Sequence, residues 1–250
     1  MRPAWAAEVV SSNVVGYEKI NLSAGYNMIG VQFAAVGGNS LGISSVGTLN
    51  SEMPGFDEDG FYAAEMRIWD GNGYNTYGWS GSSGTDILED SSMDNLWLDY
   101  TTMEPVEDEA VAGSGFWIKA DQAGTMTISG EVPSATSVTI PLAAGYNMVA
   151  NPYPGSVNIS EFGVLDSKMA GFDADGFYAT EMRVWDGNGY DTYGWSGSSG
   201  TDILEDSTLD NLWLDYTTME PTDTALPFGT AVWIKAGEAG SITFTSPITE

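Results

Sequence analysis

Two short acidic segments have the composition of a cation-binding loop. Asp57 and Asp59 lie two positions apart and are followed by glycine, and Asp173 and Asp175 repeat this arrangement. Carboxylate oxygens at this spacing let a loop wrap a hard cation such as calcium. Neither segment completes a full calcium loop, and an aspartate that caps its own turn gives the same pattern. The sequence therefore predicts either a calcium site or an ordinary acidic turn at each position.

Turn residues further along the chain could add oxygen ligands to such a site. Asp70 and Asn72 belong to an Asp-Gly-Asn-Gly segment, and Asp186 and Asn188 belong to its second occurrence. Glycine and asparagine tolerate positive φ, so the same segments predict tight hairpins between β-prone arms. Turn chemistry thus explains these residues as well as metal ligation does.

Aromatic residues near these turns have the composition of a glycan-binding face, in which sugar rings stack on exposed aromatic rings. The candidate ligand-binding residues are Tyr74, Tyr77, Trp79, Trp97, Tyr190, Tyr193, Trp195 and Trp213. The same rings could instead fill the cores of small β domains. Both interpretations are open at the level of sequence.

The composition argues against an enzyme. The chain has no cysteine and no histidine, which excludes thiolate chemistry, histidine-based metal sites and Ser/His/Asp triads. A carboxylate pair of the glycosidase type remains conceivable, but 35 Asp and Glu residues make any such pair unspecific. We therefore predict a protein without catalytic residues.

The chain consists of one module written twice. Residues 55–105 recur as residues 171–221 with 45 of 51 positions identical, and a weaker match extends to both sides. We predict a residual export signal or N-terminal arm at residues 1–15, a first repeat at residues 16–132 and a second repeat at residues 133–250. Tandem copies suit binding modules and assembly units, which gain from valency. A recent duplication, which says nothing about use, explains the high identity equally well.

Short alternating or apolar runs, divided by Gly, Asn, Asp and Pro, indicate an all-β protein. We predict two tandem homologous β-sandwich or small-barrel domains of about seven strands each. The expected strands are residues 16–22, 27–33, 61–69, 74–79, 95–100, 115–119 and 125–129 in the first repeat, and 137–141, 147–150, 177–185, 190–195, 211–216, 231–235 and 241–245 in the second.

The charge restricts the partners and indicates the compartment. A formal net charge of −28 argues against nucleic acid and anionic lipid, and no apolar run is long enough to span a membrane. Residues 4–6 have the Ala-x-Ala form of a signal-peptidase site, which predicts a secreted, extracellular or cell-surface protein. Cations at matched positions in the two repeats, Arg67 with Arg183 and Lys119 with Lys235, are expected within clusters of carboxylates.

Three segments of the second repeat, residues 144–154, 183–193 and 229–236, carry a resemblance to a known module. Their order resembles the β-rich module common in secreted and surface proteins of Bacteroidetes, Verrucomicrobia and their relatives, with its GWNLIGNPYPS, VWDxxxGxY and GQGFFVKA segments. The first repeat departs from it at residues 31–34, where Asn-Pro-Tyr-Pro would stand. The resemblance implies an extracellular, non-catalytic module.

Two hypotheses of function follow. The leading one is a secreted structural protein, a subunit of a filament, matrix or cell-surface layer, which self-assembles as a homo-oligomer and is stabilised by calcium. Its terminal strands, within residues 9–22 and 241–249, are expected to pair with a neighbouring chain. The alternative is a lectin-like surface protein that binds polysaccharide through one aromatic site per module.

Overall fold

The computed structural model describes residues 14–38, 40–82, 90–198 and 206–247. The protein is all-β, with 47% of residues in strands and 5% in helix, and its sheets are arranged in a ring like those of a propeller. The all-β prediction is confirmed. Residues 1–13, which include the predicted export-signal remnant, lie outside the described residues.

The two repeats contain the same series of strands in the same order. Those of the first repeat are β1 (Val15–Leu22), β2 (Gly25–Gly30), β3 (Ser40–Gly42), β4 (Thr48–Leu49), β5 (Ala64–Trp69), β6 (Tyr74–Trp79), β7 (Trp97–Asp99), β8 (Glu109–Val111), β9 (Gly115–Ala120) and β10 (Gly124–Glu131). Those of the second are β11 (Ser137–Leu142), β12 (Gly145–Ala150), β13 (Val157–Asn158), β14 (Val164–Leu165), β15 (Glu181–Trp185), β16 (Tyr190–Trp195), β17 (Trp213–Asp215), β18 (Ala225–Leu226), β19 (Ala231–Ala236) and β20 (Gly240–Thr245).

Each repeat forms one five-stranded antiparallel sheet and two smaller sheets. The first repeat has the orders β2-β9-β5-β6-β7, β1-β10-β4 and β3-β8, and the second repeat has β12-β19-β15-β16-β17, β11-β20-β14 and β13-β18. These ladders join strands of the same repeat.

The seven strands expected in each repeat are present. Three short strands per repeat, β3, β4 and β8 with their counterparts β13, β14 and β18, were not predicted, because two or three residues are too few to show a period. Each repeat also has two three-residue 3-10 turns, at Ile43–Ser45 and Ser91–Met93 in the first. No helix among the described residues is long and apolar enough to cross a membrane.

The predicted hairpin between β5 and β6 is confirmed, and its register sorts the side chains into two faces. Met66 pairs with Tyr77 on the face that packs into the core, and both are buried. Trp69 pairs with Tyr74 on the opposite face. At the turn, the Asp70 carboxylate accepts hydrogen bonds from the backbone N–H groups of Asn72 and Gly73, at 2.8 Å each.

Each repeat has its own apolar core beneath its large sheet. The indoles of Trp79 and Trp97 pack together in the first core with ring centroids 5.2 Å apart, and Trp195 and Trp213 repeat this contact in the second. All four rings are almost completely buried. The Trp97 N–H donates to the Gly47 carbonyl at 2.9 Å, which satisfies the single polar group of the ring inside the core.

A glycine in β6 allows one further aromatic ring to cover the sheet. A Cβ atom on Gly78 would lie 2.2 Å from Cγ of the buried Tyr62 ring, whereas a Cβ on Gly73 would meet nothing within 4 Å. We expect Gly78→Ala to lower the free energy of unfolding by about 1–3 kcal/mol through overpacking. The matched variant Gly73→Ala should change it by less than about 0.5 kcal/mol. Chemical denaturation measures both, and equal effects would contradict this packing.

Candidate functional site: paired aromatic clefts between the repeats

The two large sheets meet along β2 and β9 of the first repeat and β12 and β19 of the second. Two reciprocal backbone hydrogen bonds join them: the Gly30 N–H donates to the Gly229 carbonyl at 2.7 Å, and the Ala150 N–H donates to the Gly113 carbonyl at 2.8 Å. Gly30 corresponds to Ala150 in the alignment of the repeats, and Gly113 corresponds to Gly229. The contact is therefore isologous, as between the subunits of a twofold dimer.

Small residues make this close approach possible. A Cβ on Gly30 would lie 2.4 Å from the Cβ of Ala150, and a Cβ on Gly115 would lie 2.5 Å from the Cβ of Ala231. In each pair the first repeat supplies glycine where the second has alanine. One methyl group fits at each of these contacts, and two would collide.

Two tryptophans reach across the junction in opposite directions. The Trp69 N–H of the first repeat donates to the Tyr146 carbonyl at 2.9 Å, and the Trp185 N–H of the second donates to the Tyr26 carbonyl at 3.0 Å. Both tryptophans are half-buried against a small apolar cluster at the junction, which includes Met28. Each repeat thus depends on a ring from the other to complete this surface.

Edge-to-face contacts extend these tryptophans into two chains of rings. The first chain runs through Tyr26, Trp117, Trp185 and Tyr190, with centroid separations of 5.9, 5.6 and 5.1 Å. The second runs through Tyr146, Trp233, Trp69 and Tyr74, with separations of 5.9, 5.8 and 5.2 Å. Each chain crosses from one repeat to the other at its Trp–Trp contact.

Between these chains lie two equivalent clefts. Cleft A has a volume of about 210 Å³ and is lined by Trp69, Tyr74, Tyr146, Arg183, Tyr190 and Trp233. Cleft B has a volume of about 280 Å³ and is lined by Tyr26, Arg67, Tyr74, Trp117, Trp185 and Tyr190. Residues of both repeats line each cleft, and each position in one cleft has its alignment partner in the other. Tyr74 and Tyr190 line both.

An arginine lies over one tyrosine in each cleft. The Arg67 guanidinium is 5.6 Å from the Tyr26 ring centroid and also donates to its hydroxyl at 3.1 Å. Glu65 accepts from Arg67 and lies 3.6 Å from Lys119 Nζ. Burial acts to lower the pKa of Arg67, but its hydrogen bonds and charge interaction with Glu65 raise the pKa overall.

The second repeat has the same arrangement around Glu181. Arg183 donates to this carboxylate at 2.9 Å, and Lys235 Nζ lies 3.5 Å from it. The prediction that several carboxylates surround these cations is therefore wrong for the described residues. Instead, one glutamate in each repeat forms ion pairs with two cations. This arrangement holds the arginine in place beside the aromatic wall.

The clefts present open aromatic rings and neutral hydroxyl groups to solvent. Tyr74 and Tyr190 are each 45% exposed, and Tyr26 and Tyr146 are also exposed. Burial raises the pKa of Tyr74 and that of Tyr190 above the ordinary 10.0, so both phenols remain protonated at neutral pH. Rings, hydroxyls and a guanidinium at one place can hold an uncharged polyhydroxylated ligand by stacking and hydrogen bonding.

The structure divides the eight aromatic residues that the sequence suggested as ligand-binding. Tyr74 and Tyr190 lie at the centre of the paired clefts. The other six are buried in the cores, because their strand positions face inward: Tyr77, Trp79, Trp97, Tyr193, Trp195 and Trp213. A buried ring has no face open to a sugar, so these six residues are structural. We expected one aromatic site within each module, whereas the exposed rings lie in two clefts between the modules.

Four of the candidate metal ligands cap their own turns, namely Asp57, Asp70, Asp173 and Asp186. Asp57 Oδ1 accepts from the N–H groups of Asp59 and Phe61, at 2.9 and 2.8 Å, and Asp173 does the same with Asp175 and Phe177. The Asp186 carboxylate likewise accepts from the N–H groups of Asn188 and Gly189. No group of three or more carboxylates suited to a metal ion occurs within the described ranges. Calcium binding stays a prediction.

Sequence reasoning did not select Trp69, Trp185, Trp117 or Trp233 as ligand-binding residues, although all four occur at matched positions in the repeats. One signal could have found the first two. Alternation along β5 places Arg67 and Trp69 on the face opposite the core residue Met66, where an indole needs another partner. The identity of that partner, the other repeat, has no signature in sequence.

Comparison of the chain with protein-family models, with curated proteins and with solved structures gave no match. The resemblance to the bacterial surface-protein module therefore remains a prediction carried by its motif residues.

A further buried carboxyl group, besides Glu65 and Glu181, lies at the junction beside the clefts. Glu18 is almost completely buried, and a Cβ on Gly229 of the other repeat would lie 2.5 Å from its Oε1. In the amide orientation that satisfies both neighbours, Gln32 donates to Glu18 at 3.1 Å and accepts from the Gly229 N–H at 2.9 Å. Lys19 and Asp186 are the other charged residues around the adjoining cavity. Burial raises the pKa of Glu18 from 4.5 to about 7.

This shift makes the junction sensitive to pH. Because the folded state holds the proton more tightly than the unfolded state does, the contribution of Glu18 to stability is complete below pH 4.5 and is lost as the pH rises through about 7. We expect Glu18→Gln to raise the melting temperature at pH 8 and to flatten its decline between pH 5 and 8. The exposed control Glu238→Gln removes one charge elsewhere and should leave the decline intact. If the melting temperatures of wild type and Glu18→Gln declined equally between pH 5 and 8, this assignment would be contradicted.

Proposed function

We propose that this chain is a secreted, non-enzymatic carbohydrate-binding protein whose binding surface is the pair of clefts between its repeats. The observation that supports the proposal best is the convergence of exposed tyrosine rings, half-buried indoles and an arginine in each cleft. Small-molecule sites combine apolar and aromatic walls with a few polar groups that fix orientation, and these clefts have that composition.

The charge of the chain favours an uncharged glycan over an anionic one. The formal net charge of −28 repels polyanions at long range. Within each cleft a glutamate, Glu65 or Glu181, already compensates the charge of the guanidinium, so little net positive charge remains to attract a carboxylate or sulfate. The groups available in each cleft are aromatic faces, phenol groups and guanidinium N–H groups. Pyranose rings match them, because they expose C–H faces and hydroxyl edges.

Removal of the two shared tyrosines tests this proposal. We expect the double variant Tyr74→Ala/Tyr190→Ala to lose retention on neutral polysaccharide in affinity electrophoresis, with at least about tenfold weaker binding, since truncation of such aromatic contacts typically costs more than 1 kcal/mol. The matched control is Tyr17→Ala, which removes a ring that is 76% exposed and lies outside both clefts. Equal retention of the double variant and wild type would overturn the proposal.

Self-assembly into a filament or surface layer is a second candidate, which one observation favours. Strand β1 lies at the edge of its sheet and pairs within the described residues with β10 alone, and its exposed side chains include Val15 and Tyr17. Such an edge can accept a strand from another chain. The described part of the C-terminal strand offers less free edge than β1 does, because β20 pairs with β11 on one side and with β14 on the other.

Electron microscopy of the purified protein tests assembly and the role of calcium together. If the second candidate holds, ordered fibres or sheets form in millimolar calcium, and a chelator dissolves them if the acidic turns bind the ion. Charge substitution at the edge, Tyr17→Lys, should then prevent growth, since inward or edge charges block strand addition. Dispersed particles in both conditions would exclude self-assembly.

A further inference from the structure

We infer that the two clefts are adjoining subsites of a single site, which binds one neutral oligosaccharide chain across the junction rather than two separate sugars. This inference rests on the proposed carbohydrate-binding function and specifies the form of its ligand: an oligomer or polymer of uncharged pyranose units, recognised mainly through the faces of its rings.

The clefts share a wall. Tyr74 of the first repeat and Tyr190 of the second line both cavities, so the two spaces adjoin at this pair of rings. In the register of the hairpins, each of these tyrosines stands beside a junction tryptophan: Tyr74 pairs with Trp69, and Tyr190 pairs with Trp185. A ligand that leaves one cleft over this wall enters the other without crossing a stretch of non-aromatic surface.

The spacing of the clefts is fixed by the junction. The reciprocal backbone hydrogen bonds at Gly30 and Ala150, and the indole hydrogen bonds of Trp69 and Trp185, hold the two walls at one distance. A ligand bound in one cleft therefore presents its next sugars to the second cleft at a high effective concentration. Binding of the second part then costs little further translational or rotational freedom.

The symmetry of the junction adds a constraint on recognition. Equivalent residues are exchanged between the clefts, with Tyr26 and Arg67 in one and Tyr146 and Arg183 in the other. A glycan chain has a direction, so a chain that spans an isologous junction meets the two clefts in opposite senses. Contacts with ring faces tolerate this reversal better than directional hydrogen bonds do, which favours a homopolymer held by stacking.

Titration calorimetry with oligosaccharide ladders tests the inference on the intact chain. The probes are neutral oligomers of cellulose, laminarin and mannan, from disaccharide to octasaccharide. We expect disaccharides to bind weakly with two per chain, and the longest oligomers of the preferred ladder to bind with one per chain and about 100-fold more tightly.

Two single-cleft variants provide the matched comparison. Tyr26→Ala alters cleft B and Tyr146→Ala alters cleft A, while each keeps the backbone carbonyl that accepts the indole hydrogen bond. Each variant should bind one disaccharide instead of two, with unchanged affinity, and should lose most of the gain shown by long oligomers. Tyr17→Ala should behave as wild type in both assays.

The outcomes separate the two proposals. Binding of two ligands per chain at every length, without a gain in affinity, would overturn the single-site inference and leave carbohydrate binding in place. A gain with length that survives in both single-cleft variants would also overturn it. Failure of every ladder to bind would overturn the proposed function itself.

Discussion

The reciprocal insertion of Trp69 and Trp185 across the junction is the contact on which the arrangement of the two clefts depends. Each indole leaves the outer face of its own hairpin and packs edge-to-face on a tryptophan of the other repeat, Trp233 or Trp117. Each also donates its N–H to a backbone carbonyl there, so its polar group is not left unpaired. Both clefts exist only because these rings cross, since neither repeat contains a complete set of walls.

The differences between the repeats at this junction argue that the tandem copies are fitted to each other. In the segment of highest identity 45 of 51 residues agree, but at the junction, which lies outside this segment, Gly30 faces Ala150 and Gly115 faces Ala231. Alanine on both sides would place methyl groups about 2.4 Å apart, far inside van der Waals contact. A dimer of identical modules would need the same residue at both places. A covalent pair can use glycine on one side and alanine on the other.

Much of the fold could be predicted from sequence, and part of the site as well. Alternation in β5 and the Gly-Asn-Gly turn fix the hairpin register, which pairs Met66 with Tyr77 and Trp69 with Tyr74. Since Met66 is a core residue, this register alone would have assigned Tyr77 to the interior and Tyr74 to the outer face. The burial of Trp97 could not be obtained in this way, because β7 has three residues and no readable period. The cross-repeat partners were inaccessible for a different reason: packing between sheets depends on surface shape, which residue spacing does not encode.

The acidic composition divides into two roles with opposite pH dependence. Backbone N–H groups donate to the turn aspartates Asp70 and Asp99, and the Ser92 hydroxyl and N–H donate to Asp90; these hydrogen bonds lower the pKa values of all three below the ordinary 3.8. Their contribution to stability is therefore present above pH 3.8 and lost as the pH falls through the lowered values. Glu18 behaves in the opposite sense, because burial at the junction favours its protonated form. The turn aspartates thus stabilise the fold above about pH 3.8, whereas the contribution of Glu18 at the junction is complete below pH 4.5 and is lost as the pH rises through about 7.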